Sequence, residues 1–122
     1  MSKRQDGQLV GDIKESIRSI EAYTKKMSYK RFIQDKKTQD AVARNLEIIG
    51  EAVKAVSGEL KKRHPEIPWK ALAGMRDRLI HHYSGVNWEI VWDVIIDKLA
   101  ELKAQIARIP VKAKANKDRV ER

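Results

Sequence analysis

NWEIVWDVIIDKLAELKAQIARIP, residues 87–110, decides the fold class. Trp88, Trp92, Ile95, Leu99, Leu102, Ile106 and Ile109 recur in alternating steps of four and three over three heptads. That spacing sets them on one stripe of a helix. Asn87 is a suitable N-cap with Glu89 in the first turn, where the helix dipole favours an acid, and Pro110 closes the segment.

Working back from this helix, the same periodicity appears three more times. Pro68 suits the first turn of a helix that runs on to a natural stop at Ser84-Gly85. Before it, Val42, Leu46, Ile49, Val53, Val56 and Leu60 form the stripe of a helix starting near Asp35 or Thr38 and ending by His64, because Pro65 disfavours helical backbone in its predecessor. Beside this stripe lie the smaller residues Ala41, Ile48, Ala52 and Ala55 and the polar line Arg44, Glu47 and Glu51, so a neighbour can approach the helix from a second side. The first helix carries Val10, Ile13, Ile17, Ile20, Thr24 and Met27, with Asp12 and Glu15 near its start. Ser28 to Asp35 is a connector with one helical turn around Phe32 and Ile33. No alternating strand pattern or hairpin signal interrupts. The expected architecture is all-α: an up-and-down bundle of four main helices over residues 1–110, followed by a basic tail, 111–122.

Composition limits what such a bundle does. A chain of 122 residues makes one domain with one core and is too short to enclose a large catalytic cleft alone. No apolar run approaches the about 20 residues of a membrane span, and the N-terminus lacks a signal-peptide core, so no membrane partner is expected. There is no cysteine, hence no disulfide framework or thiolate metal site, and a reducing cytoplasm is the expected location. Lys and Arg number 26 against 17 Asp and Glu, a formal charge of +9 that attracts polyanions such as nucleic acid or serves solubility alone.

The densest chemistry lies in RDRLIHHY, residues 76–83. Arg76 sits in the middle of the apolar cluster Trp69, Leu72, Ala73, Leu79, Ile80 and Tyr83 of its helix. The ordinary explanation is a packed stem whose head reaches the rim or pairs with a carboxylate such as Glu51. His81 follows five residues later, about 140° round a regular helix, so a joint role needs a helix that ends near His81 or a second subunit. His82 also turns away from Arg76, and an exposed histidine pair is usually just polar surface. In projection Tyr83 lies within about 20° of Arg76 and is expected to face the same cleft.

The order Arg76, four residues, His81, one residue, Tyr83 resembles the R-x4-H-x-Y signature of HEPN-domain ribonuclease toxins of the HepT type. RFIQDKKTQDAVARNLEIIGEAVK (31–54) and HHYSGVNWEIVWDVI (81–95) resemble the same family, and together the similarity spans most of Met27 to Ile109. The resemblance implies a HEPN-like helical bundle forming a homodimer, in which two R-x4-H motifs meet at one cleft and cleave RNA with no metal or other cofactor. It also implies a toxin–antitoxin pair of type II/VII character, whose MntA-like nucleotidyltransferase antitoxin adds AMP to the motif tyrosine, here Tyr83.

Those residue types suit the chemistry. Attack by a neighbouring 2′-hydroxyl requires proton transfer and stabilisation of a phosphorane. Histidine titrates near neutrality, and arginine keeps its charge and offers a planar fork to phosphate oxygens. Arg76 is therefore expected to bind the phosphate and transition state, and His81 to act as general acid or base. Asp77 and His82 are expected in support, the latter as a substitute acid, and Tyr83 as the AMPylation site. Two further readings stay open: a non-catalytic helical RNA- or nucleotide-binding partner of a nucleotidyltransferase, and a plain RNA-binding module. His64, His81 and His82 lack H-x-x-x-H spacing, and no glycine-rich phosphate loop or nucleophile elbow is present. Trp88 and Trp92 belong to the packing stripe.

Overall fold

The structure is a computed structural model that describes residues 3–110; the basic tail expected at 111–122 lies outside the described residues. The described chain is helical with no strand, and none of its helices is long and apolar enough to cross a membrane.

Helix α1 (Lys3–Thr24) buries Val10, Ile13, Ile17 and Ile20 on one stripe. Asp12 and Glu15 lie in mid-helix, and the acid in the first turn is Asp6. The chain reverses after α1 at Lys26, the one non-glycine residue with positive φ among those described, at 62°. Ser28 caps α2 (Tyr29–Ile33) by accepting from the Arg31 amide at 3.2 Å, and Phe32 is fully buried. Asp35 then caps α3 (Lys36–Ala55), accepting from the Thr38 amide at 3.0 Å and its hydroxyl at 2.8 Å.

The helix expected to reach His64 breaks after Ala55. Ser57 caps a separate short helix, α4 (Gly58–Arg63), and Asp6 fastens the break: its carboxylate accepts from the Ser57 amide at 2.9 Å and hydroxyl at 2.6 Å. Val56 and Leu60 stay buried on either side, so the apolar stripe runs through the break. Ile67, fully buried between two prolines, and the Trp69 indole, which donates to the His64 carbonyl at 2.9 Å, anchor the connection to α5 (Trp69–His81).

α5 stops three residues short of Ser84. His81 is its last residue, His82 its cap, and Tyr83–Gly85 form a separate 3₁₀ turn. Asn87 caps α6 (Trp88–Asp93) by accepting from the Glu89 and Ile90 amides. A π turn (Val94–Lys98) joins α6 to α7 (Leu99–Ala107) in one continuous rod. Val91, Ile95 and Leu99 are buried at two successive steps of four, which overshoot a 3.6-residue turn, and the wide turn takes up the excess.

α3 is the central element, with α1 on one side and α5 on the other; α1 also meets α7, and α2 lies against α3 and α6. The two-sided contact expected for α3 is thus supplied within the chain. Its tightest recorded point is Gly50, where an added Cβ would sit 2.1 Å from Arg76 Cβ. Only a glycine lets the Arg76 stem cross α3 there.

Candidate active site at the seam of α3 and α5

Arg76 lies down on α3. With Cβ and Cγ over Gly50, its guanidinium meets Asp77 (Nη1 to Oδ1, 2.9 Å) and, more loosely, Glu51 (Nη2 to Oε2, 3.7 Å). The pairing with Glu51 is the one expected of an arginine with an ordinary structural role. Lys54, from the next turn of α3, donates to the same Asp77 oxygen at 3.0 Å. These hydrogen bonds, from Arg76 and then Lys54, hold the Asp77 carboxyl below its ordinary value. About a quarter of the Arg76 side chain stays exposed, while its Nε is buried with no hydrogen-bond partner.

His81 and His82 are exposed at the end of α5, their ring centroids 6.5 Å apart. Termination of the helix at His81 meets one of the two conditions for a joint role with Arg76. The two side chains nevertheless leave α5 in different directions, Arg76 onto α3 and His81 to solvent. A depression of about 280 Å³ beside His82 is lined by Met75, Arg78, Leu79, Asn87, Ile90 and Val91, among others.

Tyr83 departs from expectation. The projection that put it on the Arg76 face assumed a helix through Ser84, but the helix has ended. Its hydroxyl instead donates to the Asp40 carboxylate near the start of α3. The Tyr83 ring stands edge-on to Trp88, centroids 5.8 Å apart, and Lys36 Nζ lies 5.9 Å from its centre and 3.5 Å from Asp40. Arg76 meets α3 ten residues further on, about 15 Å along the helix at 1.5 Å per residue. Tyr83 and Arg76 therefore occupy separate points of one seam. Burial raises the Tyr83 phenol to about 12, helped by its bond to Asp40 and by the charges of Asp40 and Glu47. Asp40 is lowered by the same hydrogen bond, with help from Lys36.

Asp40 and Lys54 were not among the residues singled out in the sequence. Both continue the polar line of α3, since 40, 44, 47, 51 and 54 alternate in steps of four and three. That extension was the available signal. Trp88 and Trp92 do pack as the stripe implied, against Phe32 at centroid distances of 6.0 and 5.0 Å. Among the described residues no three histidine or carboxylate side chains are grouped to hold a metal ion.

Comparison with known proteins gives this seam a context. The family profile described as "Ribonuclease HepT-like" matches residues 13–109. A relative from Methanocaldococcus jannaschii, named "Putative RNase MJ0127", is 46% identical over 99 residues, covering 81% of this chain and 82% of its own. The "Probable ribonuclease HepT" of Thermococcus cleftensis is 43% identical over 107 residues, 88% of this chain and 97% of its own. A third, "Putative RNase TTE0752" of Caldanaerobacter subterraneus, is 46% identical over 90 residues, 74% of this chain and 80% of its own. No solved structure matches. Arg76, His81 and Tyr83 all fall within the matched span, and the chain belongs to the HepT-like ribonuclease family.

Proposed function

We propose that this protein is an endoribonuclease that cleaves RNA by 2′-hydroxyl attack, without a metal, at a cleft to which two copies each bring Arg76 and His81. The 2′-oxygen gives up its proton and bonds to the neighbouring phosphorus. The bond to the 5′-oxygen then breaks, that oxygen takes a proton, and a 2′,3′-cyclic phosphate remains. His81 takes or delivers one of these protons. Arg76 meets the extra negative charge of the phosphorane with a fork that cannot lose its proton. Asp77 fixes the fork, and His82 stands beside the scissile group as a second acid. The restraining partner is a nucleotidyltransferase of the MntA kind, acting at Tyr83.

The observation that carries this reading is the state of Arg76. Its Nε is buried without a partner, which costs roughly 1–3 kcal/mol for a donor of this kind, and α3 gives up a side chain at Gly50 to seat it. A packed stem and a carboxylate pair also suit a structural arginine, but the unpartnered Nε gains such a residue nothing. The open depression that His82 lines offers room for a nucleotide at that end of the motif.

Purified protein incubated with mixed cellular RNA in EDTA tests the proposal. Cleavage that disappears in Arg76→Ala and in His81→Ala is expected; an inert unaltered protein overturns it. One observation favours a second reading, a non-catalytic RNA- or nucleotide-binding partner of the nucleotidyltransferase: the Arg76 guanidinium is already paired with Asp77 and Glu51 of its own chain. RNA binding without cleavage, and without growth arrest on expression, is the result that reading requires.

A further inference from the structure

The bond between Tyr83 and Asp40 crosses the seam just beyond the end of α5. After the last helical bond, from the His82 amide to the Arg78 carbonyl, the chain turns through short-range bonds alone, Gly85 to His82 at 3.0 Å and Val86 to Tyr83 at 3.1 Å. The backbone of this turn makes no recorded hydrogen bond to α3. Tyr83 supplies the link with its hydroxyl, 43 residues away in sequence from its acceptor. The acceptor is itself steadied by Lys36, and the ring is braced edge-on by Trp88. His81 lies two residues before this anchor, at the last position of its helix.

We propose that Asp40 is a positioning residue of the ribonuclease site: through Tyr83 it holds the turn after α5, and with it the His81 imidazole, in working position. This rests on the ribonuclease reading above and adds to it how a group attached at Tyr83 silences the site. The tether needs the phenolic proton. A nucleotidyl group on that oxygen removes the donor and places a phosphate beside the Asp40 carboxylate. Like charges then drive Tyr83 off α3, and the turn moves with it. Arg76, about 15 Å further along α3, is too distant to receive that phosphate while Tyr83 keeps its place. Silencing thus displaces His81; it does not plug the Arg76 site.

A double-mutant cycle on cleavage of an end-labelled oligoribonucleotide pool tests the tether. Asp40→Ala and Tyr83→Phe each remove it, so each lowers kcat by roughly tenfold with KM little changed, and the double variant is no worse than either single one. Asp40→Asn, which still accepts from the phenol, retains most of the activity. Losses that multiply in the double variant, or an effect confined to KM, overturn the proposal. Two readouts do not depend on activity. The Tyr83 phenol, followed by absorbance, titrates nearer its ordinary value in Asp40→Asn, and the His81 ring resonances move alike in Asp40→Ala and Tyr83→Phe. Unmoved His81 resonances sink the tether even in an active enzyme. An inactive parent protein in which they move together sinks the ribonuclease reading and leaves the tether standing. Melting temperatures of all variants identify any that fail to fold, and Tyr83→Phe with Asp40→Asn then completes the comparison.

Discussion

Gly50 and Arg76 are one structural decision made on two helices. A methyl group at Gly50 meets Arg76 Cβ at 2.1 Å, an atom fixed to the α5 backbone, so the helices themselves must separate. Gly50→Ala is expected to destabilise the fold by about 1–3 kcal/mol, as overpacking of a close contact does, and to lower the melting temperature measurably. It also draws Glu51 away from the guanidinium and Lys54 away from Asp77, so cleavage falls even at temperatures where the variant stays folded. Arg76→Lys asks a different question of the same residue. Lysine keeps the charge and loses the fork, so cleavage drops steeply while RNA affinity, measured by filter binding, changes little. Equal losses of both identify Arg76 as a plain phosphate contact. Tyr83 adds a pH signature. Its phenol is raised in the folded protein, so the stability it contributes is complete below the unfolded value near 10 and is lost as pH climbs from about 10 to about 12. Urea melts across that window show a downward step that Tyr83→Phe removes.

The helix ends hold what periodicity does not report. The stripes of α1, α3 and the last rod were legible because burial obeys the spacing: Val42, Leu46, Ile49, Val53, Val56 and Leu60 are all buried, as are Ile95, Leu99, Leu102, Ile106 and Ile109. Of the apolar cluster expected on α5, by contrast, only Leu79 is buried, and Ile80 and Tyr83 are exposed. The break at Ser57 was not, because Val56 and Leu60 remain on the stripe and the pattern passes straight over it. Its cause is a cap satisfied from 51 residues away, by Asp6, and no local window contains both partners. Ser57→Ala removes the hydroxyl that accepts from the Leu60 amide at 3.2 Å and donates to Asp6. A cost of roughly 1–2 kcal/mol in chemical denaturation is expected, the usual worth of an N-cap. The π turn at Val94–Lys98 escaped for a related reason, since alternating steps of four and three fit a regular helix and conceal the widening that seats Val91. At the site, the pairing of Arg76 with Glu51 was readable as the ordinary structural role of an arginine centred on an apolar face. The place of Tyr83 was not, because projection carried α5 two residues beyond its true end.

Across the whole molecule, the motif divides between an inner and an outer surface. Arg76 is pressed into the seam between α3 and α5, and His81 stands on the solvent side of the last turn of α5. A phosphate held by the Arg76 fork of one chain therefore does not lie in front of the His81 of that chain without rearrangement, whereas the proposed two-fold arrangement would bring each motif to the other. The same geometry predicts what dilution does. If the working site takes residues from two copies, specific activity per chain falls as the concentration drops below the dimer dissociation constant, and mixing inactive Arg76→Ala with inactive His81→Ala restores cleavage through mixed dimers that keep one intact pairing. Sedimentation of the active preparation at micromolar concentration should show a species of twice the chain mass. Substrate capture has its own dependence: with a net charge of +9, RNA affinity should weaken steeply with salt, while the kcat of bound RNA stays nearly constant. A preparation that sediments only as the single chain, keeps full specific activity on dilution and gains nothing from mixing the two variants would require Arg76 and His81 to act within one subunit, with α5 unwinding to bring them together.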